Sequence, residues 1–406
     1  MVRNIERQTL LSRILGSEIA FPIVLGLSLR MALSLWVALV WARVDPYFSL
    51  EKNWAWIRGA YSGVPVEPTL LGRMLTDAWV HWDAAHFLAI AKYGYVQLEP
   101  GNMNFFPLYP WFVRIAQLFA FNNIKIAGLL ISTIFAILAF FLFQRFTRYT
   151  WQDPQLARWS VVVWAIYPTS FFFFAPYSEG LYLSLVLGCF LCLKEERWLI
   201  AGLLACLACL TRAQGILLLF PMAYDVFRYA RLRGFKASAA PLLSLLVAPV
   251  GWLGYMGWRT QQDQGGLFAS YSQFSKITFA DPFTAFFHAM KQLFETRNPH
   301  LAADLISIVL FGCLFSAMIL QKKFRVETGL LIYCAVTLTA FLPWKSDLVS
   351  PYQSATRYVL GLFPLFVVLA NWLRGRSIHL RLVYISASVT LLLIASALYT
   401  LWFFVG

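Results

Sequence analysis

"IKIAGLLISTIFAILAFFLF", residues 124–143, is the stretch on which the fold turns. A helix of that length extends about 30 Å, the thickness of a bilayer's hydrocarbon core. Lipid offers a backbone no hydrogen bonds, so a single apolar run of this kind is stable there only as a helix. Comparable runs recur at 18–42, 159–176, 180–193, 197–210, 213–227, 238–258, 302–320, 326–342, 356–373 and 383–404. Together they predict an all-α polytopic membrane protein with about eleven spans. Composition agrees: 60% of the 406 residues are apolar and 13% charged, outside the range of soluble domains. No internal repeat or Gly/Ser linker divides the chain, so residues 1–406 are expected to form one integrated transmembrane domain.

The basic residues orient these spans. With a cytoplasmic N-terminus, one set of short loops collects Arg3, Arg7 and Arg13, then Arg145, Arg148 and Arg158, then Lys194 and Arg197. The same side receives Arg228, Arg231, Arg233 and Lys236, then Lys322, Lys323 and Arg325, then Arg374, Arg376 and Arg381. Such an excess marks the cytoplasmic face. Two long segments, about 43–123 and 259–301, fall on the other side with acids and bases nearly balanced. The net charge of +14 is therefore mostly topological, and no nucleic-acid partner is expected. The same bookkeeping makes 107–121, "PLYPWFVRIAQLFAF", a re-entrant or interfacial helix in the first long loop. The first apolar run lacks a small-residue cleavage pattern and reads as a signal anchor. Cys189/Cys192 and Cys206/Cys209 have CxxC spacing, but the pairs fall at different heights on two helices and read as small packing residues.

"HWDAAHFLAIAKYGY", residues 81–95, stands out inside that first loop. Ala84–Tyr93 has helical character and stops at Gly94, which suits the left-handed position after a helix end. Asp83 would then be the N-cap, a sufficient use for a lone carboxylate. Capping does not explain His81, Trp82 and His86 around it. A carboxylate among such groups at a membrane surface is a candidate catalytic residue. Three further polar clusters reach the same side: Tyr177, Ser178 and Glu179 after Pro176, Arg212 and Gln214 at another helix end, and Arg357 with Tyr358. Either arginine alone would be read as snorkelling to headgroups. Two carboxylates and two arginines on one face suit an anionic lipid phosphate, because guanidinium presents a planar fork of donors.

These residues also resemble a family. "HWDAAHFLAIAKYGY" (81–95), "NFFPLYP" (104–110), "YPTSFFFFAPYSEGLYLSL" (167–185) and "TRAQG" (211–215), in this order, are similar to the PIG-V mannosyltransferases of GPI-anchor synthesis and their prokaryotic relatives. Trp82, Asp83, His86, Phe87, Gly94 and Tyr95 match the first-loop pattern, and Phe106, Pro107 and Pro110 the proline segment. Tyr177, Ser178 and Glu179 match the later acidic motif, and Arg212 and Gly215 the arginine motif. A weaker echo lies at "RYVLGLFPLF", 357–366. Ala213 and Gln214 stand where the family often has serine and asparagine.

The resemblance implies a GT-C bundle and an inverting glycosyltransferase that moves a sugar, typically mannose, from a polyprenyl-phosphate donor. The acceptor would be an extracytoplasmic hydroxyl on a lipid, glycan or protein. Asp83 would be the general base, Arg212 and Arg357 would bind the donor phosphate, and His86 and Glu179 would orient the acceptor or tune Asp83. His81, Trp82, Tyr95, Tyr177, Gln214 and Tyr358 would contact sugar or acceptor. His81, Asp83 and His86 also offer donors to a divalent metal, although their spacing matches no standard zinc signature and no metal site is assigned. Two alternatives are a transporter or flippase of a lipid-linked sugar and a non-catalytic subunit of a glycosylation complex. The short loops and modest length lean towards a prokaryotic plasma membrane.

Overall fold

A computed structural model describes residues 16–44, 64, 66–95, 100–234, 238–262, 277–320, 326–346, 352 and 354–405. Arg3, Arg7, Arg13, Lys236, Lys322, Lys323 and Arg325 of the charge pattern lie outside the described residues, as do 45–63, 96–99 and 263–276 of the two long loops. The chain runs through helices α1 (Ala20–Arg43), α2 (Leu70–Leu75), α3 (Asp83–Tyr93), α4 (Leu108–Gln117), α5 (Ile124–Trp151) and α6 (Pro154–Ala165). It continues through α7 (Glu179–Lys194), α8 (Trp198–Thr211), α9 (Leu219–Arg233), α10 (Ala239–Val247), α11 (Val250–Gln261) and α12 (Pro282–Thr296). The last five are α13 (Pro299–Leu320), α14 (Thr328–Phe341), α15 (Ala355–Tyr358), α16 (Phe363–Arg374) and α17 (Ile378–Thr400). One small departure from an all-helical fold is an antiparallel ribbon pairing β1 (Ile277–Phe279) with β2 (Trp344–Ser346).

Helix starts follow local chemistry. Asn123 accepts from the backbone N–H groups of Lys125 and Ile126 to open α5. Asp153 does the same for α6, with Pro154 in the first turn, where its missing N–H costs nothing. Among the described residues, five helices are long and apolar enough to cross a membrane: α1, α5, the continuous run Ala239–Gln261, α13 and α17. A further candidate is bent by 84° between Ala355–Gly361 and α16. Large apolar side chains face outward on these helices, with Met31 at 72% and Leu320 at 77% exposure. Patches of that kind suit lipid rather than water, and the chain is a multi-pass membrane protein.

The interior is built around α5 and α7, which pack against each other; α6 and α1 join α5, and α8 joins α7. An aromatic core fills the centre, with Phe140, Phe143, Trp164, Phe173 and Phe363 meeting edge to face. One expectation changes here. The run 159–176 is not one helix: α6 stops at Ala165, and a 3-10 turn follows at Ser170–Phe173. Pro168 lacks an amide donor and disfavours the helical conformation of Tyr167, which ends the helix early. Within 107–121, α4 has only ten residues, about 15 Å of rise and half a bilayer core.

Candidate active site

The site begins at a strained backbone. Trp82 has φ +54°, a left-handed value rare for a bulky residue, and it precedes α3 directly. The turn is held from both sides: the carbonyl of His81 accepts from the hydroxyls of Tyr177 (3.2 Å) and Tyr399 (3.1 Å). The amides of Ala84 and Ala85 donate to the carbonyls of His81 and Trp82, both at 3.1 Å. Asp83 is thus not the N-cap expected from the sequence. Trp82 takes that position, and no side-chain cap bond forms. With backbone acceptors serving the first turn, the carboxylate goes to a stronger partner, the guanidinium of Arg357. Gly94 does end α3, with φ +75°.

Four charged groups form one cluster. Arg357 Nη1 donates to Asp83 Oδ2 at 2.8 Å, and its Nε lies 3.3 Å from Glu179 Oε1. Arg212 Nη1 pairs with the same Glu179 oxygen and lies 3.4 Å from Ser178 Oγ. Glu179 Oε2 is buried without a hydrogen-bond partner, leaving unused acceptor capacity. The Arg357 guanidinium is framed by the rings of Phe172, Tyr177 and Tyr358 at 5.2–5.3 Å, and Arg212 lies 5.4 Å from Tyr358. Burial is uneven: the Arg357 and Glu179 side chains are 5% and 4% exposed, against 33% for Asp83.

Beside the cluster is an open cavity lined by Glu179, Arg212, Gln214 and Arg357 among others. Arg212 reaches it from an extended residue that ends α8, and Gln214 from the 3-10 turn that follows. Gly215 lets that turn lie against α8: a Cβ there would fall 2.4 Å from Cys209 N and 2.5 Å from Ala208 C. Sequence reasoning missed Tyr182, Tyr333 and Thr337 in the wall. Tyr182 stands one helical turn after Glu179, a spacing that could have found it. Tyr333 and Thr337 come from α14, which carries no motif.

Other candidates lie elsewhere. His81 does not face the cavity: it is fully buried against Trp41, Tyr399 and Trp402. Neither of its ring nitrogens has a hydrogen-bond partner. Burial pushes its pKa down to about 3. Tyr95 donates to the carbonyl of Phe105 at 2.6 Å and packs on Tyr255 and Trp258, its pKa raised by burial. His86 bonds Asn102 (2.8 Å) and stacks on Phe105. Trp82 rests against Trp402 and Phe404. His81, Asp83 and His86 therefore point to three different environments. No group of three or more metal-ligating side chains converges among the described residues, and the cysteines are free. Arg30 on α1 donates to the carbonyl of Phe174 at 2.9 Å and lies 4.7 Å over Trp79.

A family model described as Mannosyltransferase (PIG-V) matches residues 61–232, the segment that supplies Asp83, Glu179 and Arg212. The chain is PIG-V-like over that segment. Two curated relatives, both named GPI alpha-1,6-mannosyltransferase 2, are 28% identical over 170 residues (Mus musculus) and 30% over 174 (Cricetulus griseus). Each alignment covers 40% of this chain and 33% of the relative, so the chain matches about a third of their length. The crystal structure of ArnT from Cupriavidus metallidurans bound to undecaprenyl phosphate overlays with a TM-score of 0.47 at 12% identity, over 88% of this chain and 77% of that one.

Proposed function

We propose that this chain is an inverting glycosyltransferase of the GT-C type that moves a sugar, mannose in the first instance, from a polyprenyl-phosphate donor to an extracytoplasmic acceptor hydroxyl. The observation that carries this reading is the cluster Asp83–Arg357–Glu179–Arg212 beside a cavity. Its acidic and first basic members lie in the PIG-V-like segment. The acceptor oxygen forms a bond to the anomeric carbon, its proton passes to Asp83, and the bond from that carbon to the phosphate oxygen breaks with its electron pair on the phosphate. Arg212 and Arg357 stabilise the charge that grows there. Phosphate leaves readily enough that no general acid is needed. Glu179 orients the acceptor through its unpartnered oxygen, Gln214 and Tyr358 contact sugar or acceptor, and Tyr177 acts through the His81 carbonyl.

The rest of the reading concerns placement. About eleven spans, with the shorter buried helices included, form one transmembrane domain over 1–406. The N-terminus is cytoplasmic, α4 lies at the interface, and the cluster faces outward from a prokaryotic plasma membrane.

The test is direct. Purified full-length protein is incubated with labelled polyprenyl-phosphate-mannose and a membrane lipid extract, and the labelled product is identified. Asp83→Asn is expected to lower transfer by about 10²- to 10⁴-fold while the protein still folds. Transfer at the parental rate would remove Asp83 from the chemistry.

A further inference from the structure

The charged cluster contains a conflict that donor binding must resolve. Two arginines face two carboxylates, so their formal charges already cancel. Adding a phosphodiester anion to a balanced, largely buried group leaves an uncompensated negative charge unless one carboxylate gives up its arginine. Glu179 is badly placed to yield. Its side chain is 4% exposed, and both arginines approach the same oxygen. Asp83 is better placed: its side chain is one-third exposed, so water can solvate it once released. Nor is it tied down by a capping bond.

Arg357 stands between the two halves of the site. It lines the cavity, and Asp83 is not among the lining residues. Nη1 is used by Asp83, while three aromatic rings hold the guanidinium in place. The same donor can therefore serve either the carboxylate on one side or an anion in the cavity on the other, with little movement of the arginine.

We propose that Arg357 is exchanged between Asp83 and the donor's phosphate, so that donor binding itself releases the oxygen that takes the acceptor's proton. This rests on the transferase reading above and adds an order to it: donor first, then deprotonation of the acceptor. Before the donor arrives, Asp83 Oδ2 is occupied by Arg357 and is not free to receive a proton from a stray hydroxyl.

The experiment measures binding of undecaprenyl phosphate, without sugar, to purified full-length protein in detergent. A carboxylate that competes with the ligand for Arg357 weakens binding, so Asp83→Asn is expected to bind about three- to tenfold tighter than the parent. That gain should vanish in an Arg357→Gln background, where nothing remains to compete for. Asp83→Ala carries the same expectation if the asparagine variant does not purify, and melting curves report whether each variant is folded. Unchanged or weaker binding in a folded Asp83 variant, or a gain that persists without Arg357, overturns the exchange. If the parent still transfers sugar in that case, the transferase reading stands. Failure of the parent to bind undecaprenyl phosphate at all overturns both.

Discussion

Arg212 and Arg357 carry the same group in different settings. Arg357 bridges two carboxylates inside a ring of aromatics, whereas Arg212 holds Glu179 and Ser178 at the edge of the cavity. Arg212→Lys keeps the charge but loses the planar fork, and turnover is expected to fall about tenfold or more with normal purification. A lysine variant as fast as the parent would reduce Arg212 to a partner for Glu179. His81 has a separate signature. Unfolded imidazole binds a proton below about pH 6.5, but the folded residue does so only near pH 3. Between these values the unfolded state holds more protons, so stability is lost as the pH falls, by up to about 1.4 kcal/mol per unit. His81→Phe is expected to melt near the parent at pH 7 and to lose less between pH 6 and 4, read from melting temperatures in detergent; equal acid-side losses would show that another group is responsible.

The turn after α8 explains why local motifs were informative. Gly215 belongs to "TRAQG" because the chain folds back onto α8 with no space for a side chain. Gly215→Ala is expected to destabilise the protein by about 1–3 kcal/mol through overpacking and to slow transfer by moving Arg212 and Gln214. A variant matching the parent in both melting and rate would show that the turn can shift without consequence. The end of α3 at Gly94 was equally legible, since a positive φ there asks for glycine. The other end was not. Helix-cap rules put Asp83 at the start of α3, but they take no account of an arginine 274 positions away. Similarly, apolar character alone makes 159–176 one run, but Pro168 within it decides where α6 stops.

Across the protein, the polar residues that meet were readable because each is out of place in an apolar chain: Asp83, Glu179, Arg212 and Arg357 converge. Tyr182, Tyr333, Tyr399 and Trp402 were not, because aromatics on apolar helices look the same whether they pack or line a site. His81 and Tyr95 erred the other way, as packing residues inside a motif. Labelling tests the orientation. In a background with the exposed Cys313 replaced, cysteines placed at Lys92 or Lys291 are expected to react with an impermeant thiol reagent from outside intact cells. One placed at Arg231 should react only after lysis. The reverse pattern would turn the molecule over and put the cluster on the cytoplasmic face.

The wide separation of the paired charges also sets a timetable for biosynthesis. Glu179 and Arg212 lie 33 positions apart and can meet as neighbouring helices enter the membrane. Asp83 waits for Arg357, 274 positions later, and the His81 carbonyl waits longer still for Tyr399, 318 positions on. At about 5–20 residues per second, the gap between Asp83 and Arg357 is about 14–55 s of translation. During that interval the nascent chain already displays its carboxylates without the cation that joins them. The complete four-residue cluster, and the clasp on the His81 carbonyl, therefore come together only once the last helices have been made.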